Sequence, residues 1–254
     1  MIKLENLTKR FGGLVAVNNL SLDIPKGEIF GFLGPNGAGK TTTVKMLSGL
    51  VAPSSGSALV AGYDIVSQSL EAKKRLALVP DEPFVYPKLT GAEFLYFIGD
   101  LYGVPHSAQE KRIPEYLEMF DLSRWQGELL ESYSHGMRQK LVIASVLLRD
   151  PEVVLLDEPL VGLDPKSARL VRDIILNLSR SGVTVFMCTH TLEIAEKLCH
   201  RLGILYEGSI LALGTVDDLR KRSGQPLFDA SGARVTLEDI FLTLTGGAEA
   251  ASFL

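Results

Sequence analysis

The spacing of apolar positions changes along the chain, and each change predicts a different kind of element. Residues 1–33 read as β-rich. There "VNNLSLDI" alternates apolar and polar side chains as a half-buried strand does, and "GEIFGFLG" is a short apolar run closed by glycine, as a buried strand is. The segment after Lys40, "TTTVKMLSGL", is helical and ends near Gly49. Residues 51–63 are rich in Pro, Ser and Gly and read as turns. From 88 to 150 the character is helical. "AEFLYFIGDLYG" has Phe94, Leu95, Ile98, Leu101 and Tyr102 at helical spacing, "EYLEMFDL" and "RQKLVIASVLL" follow, and no clear strand is visible.

From residue 151 strands and helices alternate. "EVVLLDE" is a continuous apolar strand. "DPKSARLVRDIILNLSRSG" is a helix with Asp164 at its N-cap, Pro165 in its first turn and Gly182 past its end. "VTVFMCT" is another strand, "LEIAEKLC" another helix, and "LGILYEGSILAL" a hairpin turning at Glu207-Gly208. Such alternation predicts an α/β fold with a mostly parallel sheet and right-handed crossovers. The tail, 215–254, carries two short capped helices starting near Thr215 and Thr236. The expected domain division is 1–214 with a helical insert at about 88–150, followed by a small helical extension over 215–254.

Three stretches bear chemistry. "GPNGAGKTT" comprises Gly34, Pro35, Asn36, Gly37, Ala38, Gly39, Lys40, Thr41 and Thr42, between a predicted strand and a predicted helix. It fits G-x-x-x-x-G-K-[ST], whose glycines let backbone N–H groups face phosphate oxygens. Lys40 then brings a point charge to the β/γ-phosphates and Thr41 a hydroxyl to Mg²⁺. "VVLLDEP" sends Asp157 and Glu158 out of the C-terminal end of a buried strand, where parallel sheets bind ligands. Asp157 is expected to hold Mg²⁺ through water, and Glu158 to orient and deprotonate a water. His190, in "CTHT", ends the next strand. A histidine there is usually structural, but beside the same sheet edge it can reach a γ-phosphate. A fourth stretch, "ESYSHGMRQK", reads as a second capped helix start open to anions, and raises the question of why one chain needs two.

Composition narrows the class. The chain has 254 residues, 46% of them hydrophobic, enough for one large domain with appendages. Its formal net charge of −4, with no basic stripe, disfavours nucleic acid as the main partner. Cys188 and Cys199 are too few for a disulfide scaffold, which favours a reducing compartment and small buried hydrophobes as their role. "MIKLENLTKRF" has no signal-peptide core, and no apolar run approaches the ~18 residues that span a bilayer. A soluble, cytoplasmic chain is expected, with any membrane role borrowed from a partner.

With "GPNGAGKTT", "YSHGMRQK", "VVLLDEP", "GLDP" and "CTH" in this order, residues 1 to about 215 closely resemble the ATPase subunit of an ABC transporter. The tail "TLEDIFLTLTGG" is similar to tails on exporters of the ABC-2 type. The resemblance implies a P-loop NTPase core, an N-terminal antiparallel β subdomain and an inserted α-helical subdomain. It implies ATP and Mg²⁺ as cofactors, a second ATPase subunit paired head to tail, a transmembrane permease and peripheral attachment at the inner face of the membrane. It also answers the question of two helix starts, since Ser134 and Gly136 would touch the γ-phosphate of ATP held by the other subunit. Asp164 would line the dimer seam besides capping its helix. Phe11 matches the aromatic, more often Tyr, that stacks on adenine; the plainer reading is a strand-core aromatic. "FVYPKLT" and "FLYFIGDLY" would form the groove for a helix of the membrane partner, or simply the core of the insert.

Three departures stand out. The usual Leu-Ser-Gly-Gly-Gln is Tyr133-Ser134-His135-Gly136-Met137, so Met137 lacks the hydrogen-bonding amide. His135 replaces a glycine, which is costly if that backbone needs φ > 0. Asp81 stands after Pro80 where the family usually has Gln; it either reaches Mg²⁺ or solvates a turn. Two rival readings are a non-transport ABC ATPase acting on ribosomes or DNA, and a small-molecule kinase using the same loop.

Overall fold

The computed structural model describes residues 1–228 and 235–246. Two sheets form it. The smaller is antiparallel, in the order β2-β1-β4-β5, from β1 (Ile2–Phe11), β2 (Leu14–Ile24), β4 (Ser55–Val60) and β5 (Tyr63–Asp64). The larger has the order β10-β9-β3-β8-β7-β6, from β3 (Ile29–Leu33), β6 (Leu76–Val79), β7 (Val153–Asp157), β8 (Thr184–Cys188), β9 (Arg201–Tyr206) and β10 (Ser209–Gly214). Its pairings are parallel except β9 with β10. The expected fold class is therefore the observed one.

Every residue of β3, β7 and β8 is buried. Strands covered on both faces are uniformly apolar, which is why they read as continuous runs. Period-2 alternation sends their side chains into two cores. Phe30, Phe32, Val153, Leu155 and Phe186 face the antiparallel sheet and α1 (Lys40–Leu47). Ile29, Val154, Leu156, Val185 and Met187 face helices: α3 (Gly91–Leu101), α4 (His106–Met119), α5 (His135–Leu148) and α6 (Pro165–Arg180). The antiparallel sheet and the helical layer thus lie on opposite faces of one parallel sheet.

The stretch read as turns, 51–63, contains β4, and α2 (Ser69–Arg75) with β6 follows it. Pro53, Ser54, Ser55, Gly56 and Ser57 hide that strand in the sequence. It exists because β1 supplies an antiparallel partner, with Ile2 opposite Val60 and Leu4 opposite Ala58. The helical stretch behaves as expected. α3 starts in a reciprocal Thr90–Glu93 capping box, and among the described residues 88–150 contain an isolated bridge, Thr90 with Leu129, but no named strand. Arg149, at the end of α5, ties this layer to the sheet edge. Its guanidinium donates to the Leu76 carbonyl at 2.6 Å and lies 3.2 Å from the Tyr102 ring centroid.

The β9–β10 hairpin turns at Glu207 (φ 45°) and Gly208 (φ 77°), the left-handed pair that a two-residue hairpin uses. α7 (Leu192–Leu198), before the hairpin, and α8 (Val216–Ser223) and α9 (Leu237–Leu244), after it, enclose a third core. That core includes Leu33 of β3 together with Leu237, Ile240 and Phe241. Thr215–Asp218 and Thr236–Asp239 capping boxes start α8 and α9. Residues 247–254 of the expected extension, and 229–234, lie outside the described residues.

The inter-sheet core rests on a phenylalanine cluster. The fully buried Phe186 ring lies 5.8 Å from Phe30 and 5.1 Å from Phe32, centroid to centroid. Phe186→Ala is expected to cost about 3–5 kcal/mol, because the two remaining rigid rings cannot collapse into the void. The shift in the urea midpoint measures it; a loss under about 1 kcal/mol would mean that the layer repacks freely.

Candidate functional site

β3 ends at Leu33, and the chain curls through residues 34–39 before α1 begins. Backbone crowding dictates the glycines. A Cβ on Gly34 would lie 2.4 Å from the Leu205 carbonyl oxygen, and one on Gly39 2.4 Å from the Ala16 carbonyl oxygen. Gly39 also has φ 105°, outside the reach of ordinary L-residues. No side chain caps α1, so its leading N–H groups keep no side-chain acceptor. Beside this loop opens a cleft of about 950 Å³. Pro35, Asn36, Gly37, Gly39, Lys40, Thr41 and Thr42 line it. Gly34 and Ala38 instead shape the loop from beneath. The Ala38 carbonyl accepts from the Gly208 N–H at 3.1 Å, which locks the loop to the hairpin turn.

The carboxylates reach the same cleft from the ends of the parallel strands. Asp157 closes β7, Glu158 follows it, and Asp81 comes from the loop after β6. Burial raises the Asp157 pKa above its ordinary value. A hydrogen bond from Thr41 and the Lys40 charge oppose the shift, while the charges of Glu158 and Asp81 add to it. Burial lowers the pKa of Lys40, whose ammonium donates to the Pro35 carbonyl at 3.0 Å and to that of Gly34. Nearby acidic charges oppose that shift too.

Glu158 has φ 50°, a left-handed backbone unusual for its residue type. Its side chain is turned onto the end of β8. Oε1 accepts from the His190 N–H at 2.8 Å and lies 2.8 Å from His190 Nδ1, and Oε2 accepts from the Thr189 hydroxyl at 3.0 Å. His190 lines the cleft as well. Phe11, at the end of β1, is 49% exposed and stands at the cleft wall with Leu14, Val15 and Ala16. It is therefore not a strand-core aromatic, and the Lys9 ammonium lies 4.9 Å from its ring centroid.

Thr41, Asp157 and Asp81 offer hard oxygen donors only. Among the described residues no group of three or more His, Cys, Asp or Glu side chains could hold an ion by itself. That set suits magnesium, which keeps waters and takes substrate phosphate oxygens to complete its octahedron.

The second helix start is elsewhere. Ser134 and Gly136 do not line the cleft. Ser134 is exposed and caps α5, its hydroxyl accepting from the Met137 N–H at 3.3 Å. His135 is the first residue of α5, and its φ is not positive, so the possible cost of replacing a glycine does not arise. Its ring instead packs on Gly162. Asp164 caps α6, accepting from the Ser167 hydroxyl at 2.6 Å and the Ser167 N–H at 3.0 Å; these bonds hold its carboxyl below the ordinary range.

Away from the cleft, "FVYPKLT" and α3 expose an aromatic cluster. Tyr86 meets Phe84 and Phe97 edge to face, with centroids 5.7 and 5.3 Å apart, and Phe84 is 73% exposed. Phe94 and Leu95 on the same helix are buried, so this stretch is partly core and partly surface. Both cysteines are free, Cys188 buried beneath the cleft and Cys199 half-buried. Sequence reasoning missed Leu14, Val15, Ala16 and Glu207 as cleft residues. The hairpin at 207–208 was legible, but nothing local says that it folds back onto residue 38.

The sequence profile of the family described as ABC transporter matches residues 17–161. The linearmycin resistance ATP-binding protein LnrL of Bacillus subtilis is 41% identical over 224 residues, covering 88% of this chain and 72% of that protein. The doxorubicin resistance ATP-binding protein DrrA of Mycobacterium tuberculosis is 38% identical over 213 residues, covering 84% of this chain and 64% of that protein. Among solved structures, an ATP-binding subunit of an ABC transporter superposes with a TM-score of 0.89 at 28% identity, over 96% of this chain and 99% of that one. An ATP-binding cassette solved as a dimer in a post-hydrolysis state, with ADP and Pi, has a TM-score of 0.77 at 26% identity, over 85% and 98%.

The packing of His135 on Gly162 makes a separate prediction. A Cβ on Gly162 would lie 2.7 Å from His135 Cδ2, and Gly162 has φ 74°. Gly162→Ala is expected to destabilise the chain by about 1–3 kcal/mol through backbone strain plus the clash. His135→Ala in the same chain removes the clash and leaves the strain, so the double variant should melt above Gly162→Ala alone. Equal melting temperatures would show that the ring simply swings away.

Proposed function

Because this chain belongs to the ABC transporter family of ATP-binding proteins, we propose that it is the ATP-hydrolysing motor of a membrane exporter, closing head to tail with a second such subunit on two ATP molecules. One observation carries this reading. The phosphate loop, Asp157, Glu158 and His190 share one cleft, while the Ser134–Gly136 turn stands outside it. A capped but exposed helix start that does not line its own chain's cleft suits the ATP of a neighbour.

In this reading the N–H groups of Gly37, Gly39, Lys40 and Thr41 hold the β- and γ-phosphates, that of Ala38 already donating to the Pro35 carbonyl at 3.2 Å, and Lys40 leaves its carbonyl partners to neutralise them. Phe11 stacks its open face on adenine. Glu158 orients the attacking water and takes its proton, and His190 contacts the γ-phosphate. Magnesium would be held by Thr41, Asp157 and Asp81, and when bound it neutralises charge building on the transferred phosphoryl group. The mutual repulsion of three carboxylates in the cleft supports a cation there. Ser134 and Gly136 serve the partner subunit's γ-phosphate, and Asp164 lies at the seam.

Among the described residues no helix is long and apolar enough to cross a membrane. In this reading the transported molecule passes through a permease that the motor drives. The exposed Phe84, Tyr86 and Phe97 cluster, beside a hollow lined by Pro83, Val85 and Arg138, supports docking of a permease helix there. Attachment at the inner face of the cell membrane follows from that contact. LnrL and DrrA are named for resistance to linearmycin and doxorubicin, so these two compounds are the first export substrates to try.

Glu158→Gln is expected to keep ATP binding and lose about 10²–10⁴ of turnover, since only the base is removed. It should also accumulate an ATP-bound dimer on size exclusion. Hydrolysis at the wild-type rate would remove Glu158 from that role.

Mixing tests the cross-subunit arrangement. Lys40→Ala and Ser134→Ala chains should each hydrolyse ATP poorly. A mixed dimer pairs one intact loop with one intact Ser134, so activity should return on mixing. Mixed dimers that form with ATP at normal affinity, yet gain nothing over the parents, would assign Ser134 to its own chain's nucleotide.

A further inference from the structure

Glu158 is tied to one three-residue segment by an unusual number of bonds. Its N–H donates to the Cys188 carbonyl at 3.0 Å, continuing the β7–β8 ladder in which Asp157 pairs with Cys188. The next residue of each strand then stands side by side, and there the ladder becomes a side-chain contact: the Thr189 hydroxyl to Glu158 Oε2 at 3.0 Å. That hydroxyl is directional. It already accepts from the Thr191 N–H at 3.0 Å, so its own hydrogen is free to go to the carboxylate. Thr189 is 4% exposed, so bulk solvent does not compete readily for the bond.

The carboxylate also has somewhere else to go. A second, smaller cavity of about 100 Å³ lies against Glu158, lined by Thr189, Thr191, Met187 and Ile194 among others. Its volume suits a few waters, so a Glu158 side chain released from Thr189 could turn toward it. His190 alone cannot prevent this. Both His190 bonds go to Oε1, and a carboxylate held at one oxygen still pivots about it. Thr189 supplies the second point, and two held oxygens together with the Cγ–Cδ bond fix the carboxylate plane.

We propose that Thr189 is a positioning residue for hydrolysis, its hydroxyl fixing the plane of the Glu158 carboxylate while His190 fixes its other oxygen. This rests on the reading of Glu158 as the base. The hydroxyl touches neither ATP nor the attacking water; it sets where the base points. A valine there keeps the shape and removes the donor, whereas serine keeps the donor and loses a methyl group.

The test measures phosphate release by the full-length chain against ATP concentration, for Thr189→Val, Thr189→Ser, Glu158→Gln and the Glu158→Gln/Thr189→Val pair. Thr189→Val should lower kcat about ten-fold, part of the 10²–10⁴ that a positioned base contributes, with KM for ATP changed less than about two-fold. Thr189→Ser should restore kcat to within about two-fold of wild type. Thr191 also depends on this hydroxyl, so a local loosening of α7 must be separated from loss of aim. In the Glu158→Gln background the valine should have no further effect on residual turnover, whereas a general loosening would lower it again. Unchanged kcat in Thr189→Val, or an equal added loss without Glu158, overturns the proposal. If Glu158→Gln itself turns over normally, the assignment of the base fails instead.

Discussion

The constraint on which the rest of the structure depends is the approach of three backbone segments at residues 34–39. The Leu205 carbonyl presses on Gly34, the Ala16 carbonyl on Gly39, and the Gly208 N–H donates to the Ala38 carbonyl. These contacts come from β9, from β2 and from the hairpin turn, so both sheets converge on one loop. The opposing atoms at the two glycines are backbone and cannot swing aside as side chains do. The loop is therefore shaped before any ligand arrives, and its free N–H groups at the start of α1 need no rearrangement to meet an anion.

The two helix starts differ in the same physical terms. α5 has a serine that satisfies one of its leading N–H groups and stands exposed. α1 has a glycine in the left-handed region and no side-chain cap at all. One end is buried in a shaped cleft with three carboxylates and a lysine around it. The other is a surface feature, which under the proposed reading joins a site only when another molecule brings phosphate to it. The contact of His135 and Gly136 with the loop at Gly162 links that surface to the segment after Glu158 within a single chain.

What could be read from the sequence divides along the same line between local and distant causes. The uniformly apolar runs of β3, β7 and β8 were legible because both faces of a central parallel strand are buried. The loop from Gly34 to Thr42 was legible because strand, glycines and helix are contiguous. β4 was not, since a stretch of Pro, Ser and Gly becomes a strand only when β1 lies beside it. The departure at His135 could not be weighed either: its cost depended on a backbone angle, and the angle proves to be ordinary helix. Phe11 was ambiguous between core and site until its exposure was known. The cleft walls contributed by Leu14 to Ala16 and by Glu207 were invisible, because each depends on a chain segment distant in sequence: Ala16 meets Gly39, and the 207–208 turn meets Ala38.

The third core has a consequence for the integrity of the whole chain. Leu33, the last residue before the phosphate loop, shares that core with Leu237, Ile240 and Phe241 of α9. The cluster beneath the loop thus includes side chains of the C-terminal segment. A ligand that binds only the ordered loop also stabilises whatever supports it, by an amount set by its concentration relative to Kd. Nucleotide occupancy and docking of α9 are thermodynamically linked, so ATP should slow proteolytic trimming of the tail, and trimming should weaken ATP. A recombinant fragment cut at the end of β10 would keep every phosphate-loop residue and lose part of what holds the loop in shape.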